Sequence, residues 1–304
     1  GTTLSATDTS FIVPFEADGK VTLTAVWTRN KMNVSFTDAD KPSTPAGFSV
    51  TASPVKVDFG KNLSSVSGWN MSKVTVTQPS EWALVGWEVW NADHTVKLGD
   101  VADPMIWTID QDTIFSAKWA QTLVVTYYPG DHAAAGQNSK TYQDYKSSDN
   151  APMPSWASKT GGNPSADHPN AATGYAWIGW KWTLDGVDYY FYANPADALA
   201  GTTSTAMPTT VDNNYAFTAL YKALDRTLSF DLSGTETWTD GDSATSKTIA
   251  TKTGETIPFA SMPTPQKAGW KFVGWKVSGT DDSTAIKTGM NYLVPAIADD
   301  TIHI

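Results

Sequence analysis

The chain has 304 residues, no cysteine and a formal net charge of −10 at pH 7, with 21 Lys+Arg against 31 Asp+Glu. That balance argues against a nucleic-acid partner, which needs a basic face to neutralise phosphate, and the missing thiols exclude disulfides, thiolate metal sites and cysteine nucleophiles. Hydrophobic residues make up 40%, enough for folded domains, yet no apolar run is long enough for membrane insertion as a helix.

Taken in chain order, KVTLTAVW (20–27) alternates apolar and polar residues and reads as a strand, and MNVSFTD (32–38) reads as another that runs into turn formers. EWALVGWEV (81–89) follows as a strand centred on a Gly-Trp pair, and DTIFSAKW (112–119) as a further strand. The order then repeats with LVVTYYPG (123–130), a Pro-rich approach APMPSW (151–156), GYAWIGWKW (174–182) and NYAFTALY (214–221). It repeats again with TLSFDLSG (227–234), IPFASMPTPQKAGW (257–270), GWKFVGWKV (269–277) and DTIHI (300–304), which opens the closing phrase and stops.

The Gly-Trp pairs end at Trp87, Trp180 and Trp275, near-equal separations of domain size rather than the short period of a thin solenoid. Four segments follow: residues 1–29 as the closing part of a truncated repeat, then repeats at 30–121, 122–224 and 225–304. The second repeat carries a long inserted loop at 155–174, and the third is expected to lack its last few residues, as in a piece cut from a longer array. Abundant Val, Ile, Thr, Trp and Tyr predict a mainly β fold, α+β at most.

The segment PTPQKAGWKFVGW (263–275), closed elsewhere by SAKW (116–119) or TALY (218–221), resembles the internalin B-repeat, or Listeria–Bacteroides repeat, family. Trp270 stands where the family usually has Tyr, Glu81 replaces the first Gly of one repeat, and the repeats run longer than usual for the family. The resemblance implies small β-grasp-like modules strung in an elongated array on secreted or wall-attached bacterial proteins, often adhesins.

Alternation places Val85, Trp87 and Val89 on one strand face, as it does Ile178, Trp180 and Trp182, and Val273, Trp275 and Val277. That apolar face is the expected core, with Glu88, Lys181 and Lys276 on the wet side and Gly86, Gly179 and Gly274 allowing a bulge or a close approach. Trp82, Trp87, Trp119, Tyr175, Trp177, Trp180, Tyr221, Trp270, Phe272 and Trp275 are the expected structural core. Trp90 falls on the opposite face, and Trp69, Trp156 and Trp238 lie in polar or turn-rich sequence; Trp156, Trp90 and Trp238, with Asp167 and His168 of the long loop, are the ligand-binding candidates. A lid over a small core or a contact between modules is the plainer reading of these rings.

The four His are scattered without metal-ligand spacing, and Asx turns account for the Asp strings TDADK (37–41), DGVD (185–188), TDGDS (239–243) and TDDST (280–284) without calcium. No nucleophile elbow, phosphate loop or HExxH motif occurs. The expectation is a monomeric, non-catalytic spacer and adhesive stalk without cofactor, extracellular on a bacterial surface or wall, with a host or matrix protein or a glycan as partner. A carbohydrate-binding module, or an accessory region of a larger extracellular enzyme, is the alternative.

Overall fold

The computed structural model describes Lys20 and residues 22–304, so most of the 1–29 segment lies outside the described residues. Within them the protein is mainly β, with eighteen strands and six single-turn 3-10 segments. Its described residues divide into two compact units, one formed by those up to 80 together with 84–119, the other by 81–83 and 120–304. Buried apolar side chains gather in three clusters: one within 34–117, one within 123–219 and one within 228–304. The first cluster belongs to the first compact unit and the other two to the second.

The same ladder order recurs around each cluster. In the first, Lys31–Thr37 pairs antiparallel with Val55–Asp58 and parallel with the start of Thr113–Tyr128, placing Phe36 beside Phe115. In the second, the later residues of Thr113–Tyr128 pair antiparallel with Lys140–Lys146 and parallel with Tyr215–Ala223, placing Tyr127 beside Phe217. In the third, Asp225–Asp231 pairs antiparallel with Ser246–Lys252 and parallel with Thr301–His303. A parallel pair needs a long crossover, and the crossover here is the segment that carries the Gly-Trp phrase.

That segment forms Trp82–Asn91 in the first repeat and Tyr175–Leu184 in the second. Tyr175–Leu184 is paired on both edges, with Val187–Tyr192 on one side and Tyr215–Ala223 on the other. In the third repeat 270–277 is not a strand; its phrase is held by isolated bridges, Trp275 to Ile286 and Lys267 to Trp270. Alternation in the sequence predicts a strand at all three places, and the third departs from it, with an isolated bridge where the other two copies have a hairpin ladder.

Each Gly-Trp tryptophan meets the same neighbour. Trp87 stands edge-on to Phe36 at 5.3 Å, Trp180 to Tyr127 at 5.0 Å and Trp275 to Phe230 at 5.1 Å. All three indoles are buried. A ring of this size removes on the order of 150–250 Å² from water, several kcal/mol at about 25 cal/mol per Å². Rings are therefore the main cohesive contributors to cores that hold no disulfide.

The glycine before each tryptophan has the same reason to be there. A Cβ on Gly86 would come within 3.2 Å of the Val101 carbonyl oxygen, and one on Gly179 or Gly274 would overlap the Phe191 or Ile286 carbonyl. Val101, Phe191 and Ile286 are in turn the residues paired with Trp87, Trp180 and Trp275. The close approach brings an irregularity: the ladder against Tyr215–Ala223 shifts register, with Leu220 opposite Gly179 and Tyr221 opposite Trp177. Simple alternation fails across this point. Leu84, Trp177 and Phe272 pack on the cores, whereas Val85 and Val273, expected there, do not join the clusters, and Val273 is exposed; Ile178 is buried as expected, outside the second cluster. Beyond the glycine the expected face is kept by Val89, Trp182 and Val277.

Candidate functional site

The ten aromatics expected in the core are not placed alike. Trp87, Trp180 and Trp275 are buried; Trp119, Trp177, Tyr221 and Phe272 are half-buried against their clusters, and Trp82 and Tyr175 are half-buried. Trp270 departs from the expectation. It is 77% exposed.

Two ligand candidates are corrected in the opposite direction. Trp156 lies in the second cluster, 6.4 Å from Trp180, with the Lys140 ammonium 4.8 Å from its ring centre. Trp238 lies in the third cluster, 6.1 Å from Trp275, and its Nε1–H donates to the Ala244 carbonyl at 2.8 Å. Both sit in polar stretches of sequence, but those stretches fold back over the cores and bring the rings inside, so neither is a platform. Trp69, stacked on Phe36 at 5.7 Å, is a cover of the same kind. Trp90 is half-buried and edge-on to His94 at 4.5 Å.

Asp167 and His168 are neighbours engaged with different partners. The Ser155 hydroxyl and the Asn163 amide hold the Asp167 carboxyl below the usual carboxylate range, the amide bond being 2.8 Å. His168 stacks on Trp177 at 4.2 Å and sets its Nδ1 2.9 Å from the Pro169 carbonyl. A second stack joins His132 to Tyr175 at 3.9 Å. The long loop is thus tied to the second core, with Tyr127 donating to the Pro154 carbonyl at 2.6 Å and Tyr142 to that of Trp156 at 3.4 Å. It does not gather Trp156, Trp90, Trp238, Asp167 and His168 into one site.

The Asp strings are tied up by cations. Asp38 pairs with Lys41, Asp188 with Lys181, Asp240 and Asp242 with Lys247, and Asp282 with Lys276. Among the described residues no group of three His, Asp or Glu converges.

An open cleft of about 280 Å³ lies beside Trp270, bounded by Glu236, Gln266, Lys267, Phe272 and Gly274. The Lys267 ammonium reaches the Glu236 carboxylate at 3.0 Å and stands 5.8 Å from the centre of the Trp270 ring. The bond from Lys267 is the main cause that holds Glu236 below its ordinary range. Phe272 forms the inner wall, edge-on to Trp275 at 5.4 Å. The cleft offers aromatic faces, one ion pair and an unladdered stretch of backbone, a set suited to holding a flat or extended ligand. Sequence reasoning passed over it because Trp270 occupies the place of Tyr175 in the repeated phrase.

No protein family, curated protein or solved structure matches the chain.

Proposed function

We propose that the chain is a non-catalytic repeat region of a bacterial surface or secreted protein, similar to the internalin B-repeats, that acts as a spacer stalk and adhesin. In this reading each cluster marks one small β-grasp-like module, and the modules follow one another in an elongated array. The observation that carries it is the thrice-repeated contact of a Gly-Trp indole, edge-on to a first-strand aromatic and buried in a cluster of its own. A phrase that recurs because it builds a core is a phrase about architecture, and arrays of such cores serve to set distance and present loops.

Small-angle scattering tests the array. A single compact body of this length has a radius of gyration of about 19 Å, and the array should exceed it clearly; a value near that figure would sink the reading. Glycan recognition is the second reading, and Trp270 is the exposed ring beside a cleft that favours it. Binding on a glycan array that disappears in Trp270→Ala would support it.

A further inference from the structure

In the second repeat Val187–Tyr192, Tyr175–Leu184, Tyr215–Ala223 and the later residues of Thr113–Tyr128 lie side by side. Trp180, Trp182, Phe217 and Tyr127 belong to the second core, so alternation turns the residues between them to the opposite face. One row across that face reads Tyr190, Lys181, Thr218, Tyr128, each opposite the next in register. A tyrosine closes the row at either end, three strand spacings or about 14 Å apart.

The other repeats set no ring at these places. Counted from the buried indole and the first-strand ring, Tyr190 and Tyr128 correspond to Asp100 and Thr37 in the first repeat. In the third they correspond to Ala285 and Asp231. Asp100 is bound by Lys97 and Lys118, and Asp231 by His303. The fold therefore does not require tyrosine at either position, and the pair is particular to the second repeat.

Both rings are reachable, and one is held in place. Tyr128 is 46% exposed. Tyr190 is half-buried and parallel to Tyr192 at 6.2 Å, with the Lys181 ammonium 5.7 Å from its ring centre. Tyr192 is itself buried, its hydroxyl 2.7 Å from that of Thr202. A ring fixed before contact loses little freedom on binding. Between the rings the face is polar and electrically neutral. Lys181 binds Asp188 at 2.7 Å, and the Thr183 hydroxyl donates to the same carboxylate at 2.5 Å. The patch spans about 14 Å across the strands and about 14 Å along them, roughly 200 Å². That is well short of the ~800 Å² that each partner gives to a stable protein contact. Spaced flat rings with hydroxyls between them suit a narrow, neutral ligand whose apolar C–H faces are edged by hydroxyls, which is the chemistry of a pyranose chain.

We propose that this face of the second repeat binds a neutral polysaccharide laid across the strands. One sugar stacks on Tyr190 and another on Tyr128, and Lys181 and Thr218 meet the hydroxyls between them. The site gives the adhesin reading a ligand class and rests on that reading for its role; it shares no residue with the cleft beside Trp270.

Affinity electrophoresis of the whole chain tests it, in gels carrying β-glucan, xylan or galactomannan, with heparin as the polyanionic arm. At least one neutral gel should retard the protein. Tyr128→Thr and Tyr190→Ala install residues that the first and third repeats already carry at these positions, so the fold should survive them in urea unfolding. Each should weaken the retardation about tenfold or more, the loss expected of a central aromatic contact. Tyr128→Phe and Tyr190→Phe keep the ring and should bind nearly as the parent does. No retardation in any neutral gel overturns the proposal, as does retardation by heparin alone or retardation unchanged in both tyrosine variants. Loss in Trp270→Ala with the tyrosine variants unaffected moves glycan binding to the cleft and overturns this site alone. Self-association in sedimentation velocity that Tyr128→Thr abolishes makes a second copy the occupant and overturns it too. None of these results bears on the array, which scattering decides separately.

Discussion

The second and third cores start from nearly the same words, YAWIGW and WKFVGW, and come to different states. Both bury the Gly-Trp indole edge-on to a first-strand ring, and both press the glycine against a carbonyl of the following segment. Around Trp180 the backbone is laddered on two edges, and the neighbouring Tyr175 and Trp177 are stacked under His132 and His168. Around Trp275 one bridge remains on the hairpin side and Trp270 points to solvent. The difference teaches that the side-chain pattern decides which ring enters the core, whereas segments outside the phrase, here the loops that carry His132 and His168, decide whether the rest of it is covered.

The largest effect that tests this contrast is removal of the two indoles. Trp180→Ala should destabilise its core by ~3–5 kcal/mol, the range for a fully buried large aromatic. Trp275→Ala should fall at the lower end, about 3 kcal/mol, because its surroundings are open on one side. Urea unfolding followed by fragment-resolved limited proteolysis reads each core separately. Equal losses would remove the energetic meaning of the missing ladder. The indole nitrogens add a finer distinction: Trp275 Nε1 donates to the Pro263 carbonyl at 2.8 Å, while Trp180 Nε1 has no partner. Trp180→Phe should therefore be milder relative to its alanine variant than Trp275→Phe.

Next in size come the glycines. Gly179→Ala drives a methyl into the Phe191 carbonyl, so overpacking should cost about 3 kcal/mol, and Gly274→Ala a similar amount against Ile286. Gly86→Ala meets the Val101 oxygen only at 3.2 Å, but at its φ of +154° a side chain is strained, so it should cost about 1–3 kcal/mol. If Gly179→Ala, whose backbone has no such φ, proves the mildest of the three in the same melts, the close approach of the hairpin backbone is not what selects glycine.

How much of this was legible in the sequence follows the reach of each signal. The repeated Gly-Trp phrase identifies Trp87, Trp180 and Trp275 as core and their glycines as points of close approach, since repetition leaves architecture as the shared cause. The mainly β class follows from composition and alternation. Alternation alone misplaced Val85 and Val273, because the irregularity at the glycine lets Leu84 and Phe272 turn inward instead, whereas Ile178 is buried as alternation predicts and Trp177 packs on the core beside it. Trp156 and Trp238 looked exposed because local polarity says nothing about a loop that folds back over a core. Trp270 looked buried because the phrase does not encode a cover: that of Tyr175 is His132, in a turn distant in sequence.

A smaller effect separates the second core by its tyrosines. Residues 20–121 contain no tyrosine, whereas the second core holds Tyr127, Tyr142, Tyr145, Tyr215 and Tyr221. Burial is the main cause that pushes each of them up, Tyr221 to about 12 and Tyr127 and Tyr215 further. A raised value means that the folded state favours the neutral phenol. The stability it contributes is whole below the unfolded value of about 10 and is lost as pH rises through the folded value. Limited proteolysis at pH 8 and at pH 11 should therefore show new cleavage first within 122–224. Uniform cleavage across the chain would contradict it. Tyr127→Phe leaves the Pro154 carbonyl without its donor and should cost about 1–2 kcal/mol at neutral pH, while making the second core less sensitive to alkali.

The smallest expected change carries the sharpest discrimination. Trp270→Ala removes the largest side chain of the open cleft, yet a ring that is 77% exposed shields little apolar surface. The third core should shift by no more than about 0.5 kcal/mol, as surface substitutions do. A loss of several kcal/mol would mean that the ring is covered in solution, as Tyr175 is by His132. In that case the contrast between the second and third cores is smaller than their backbones imply.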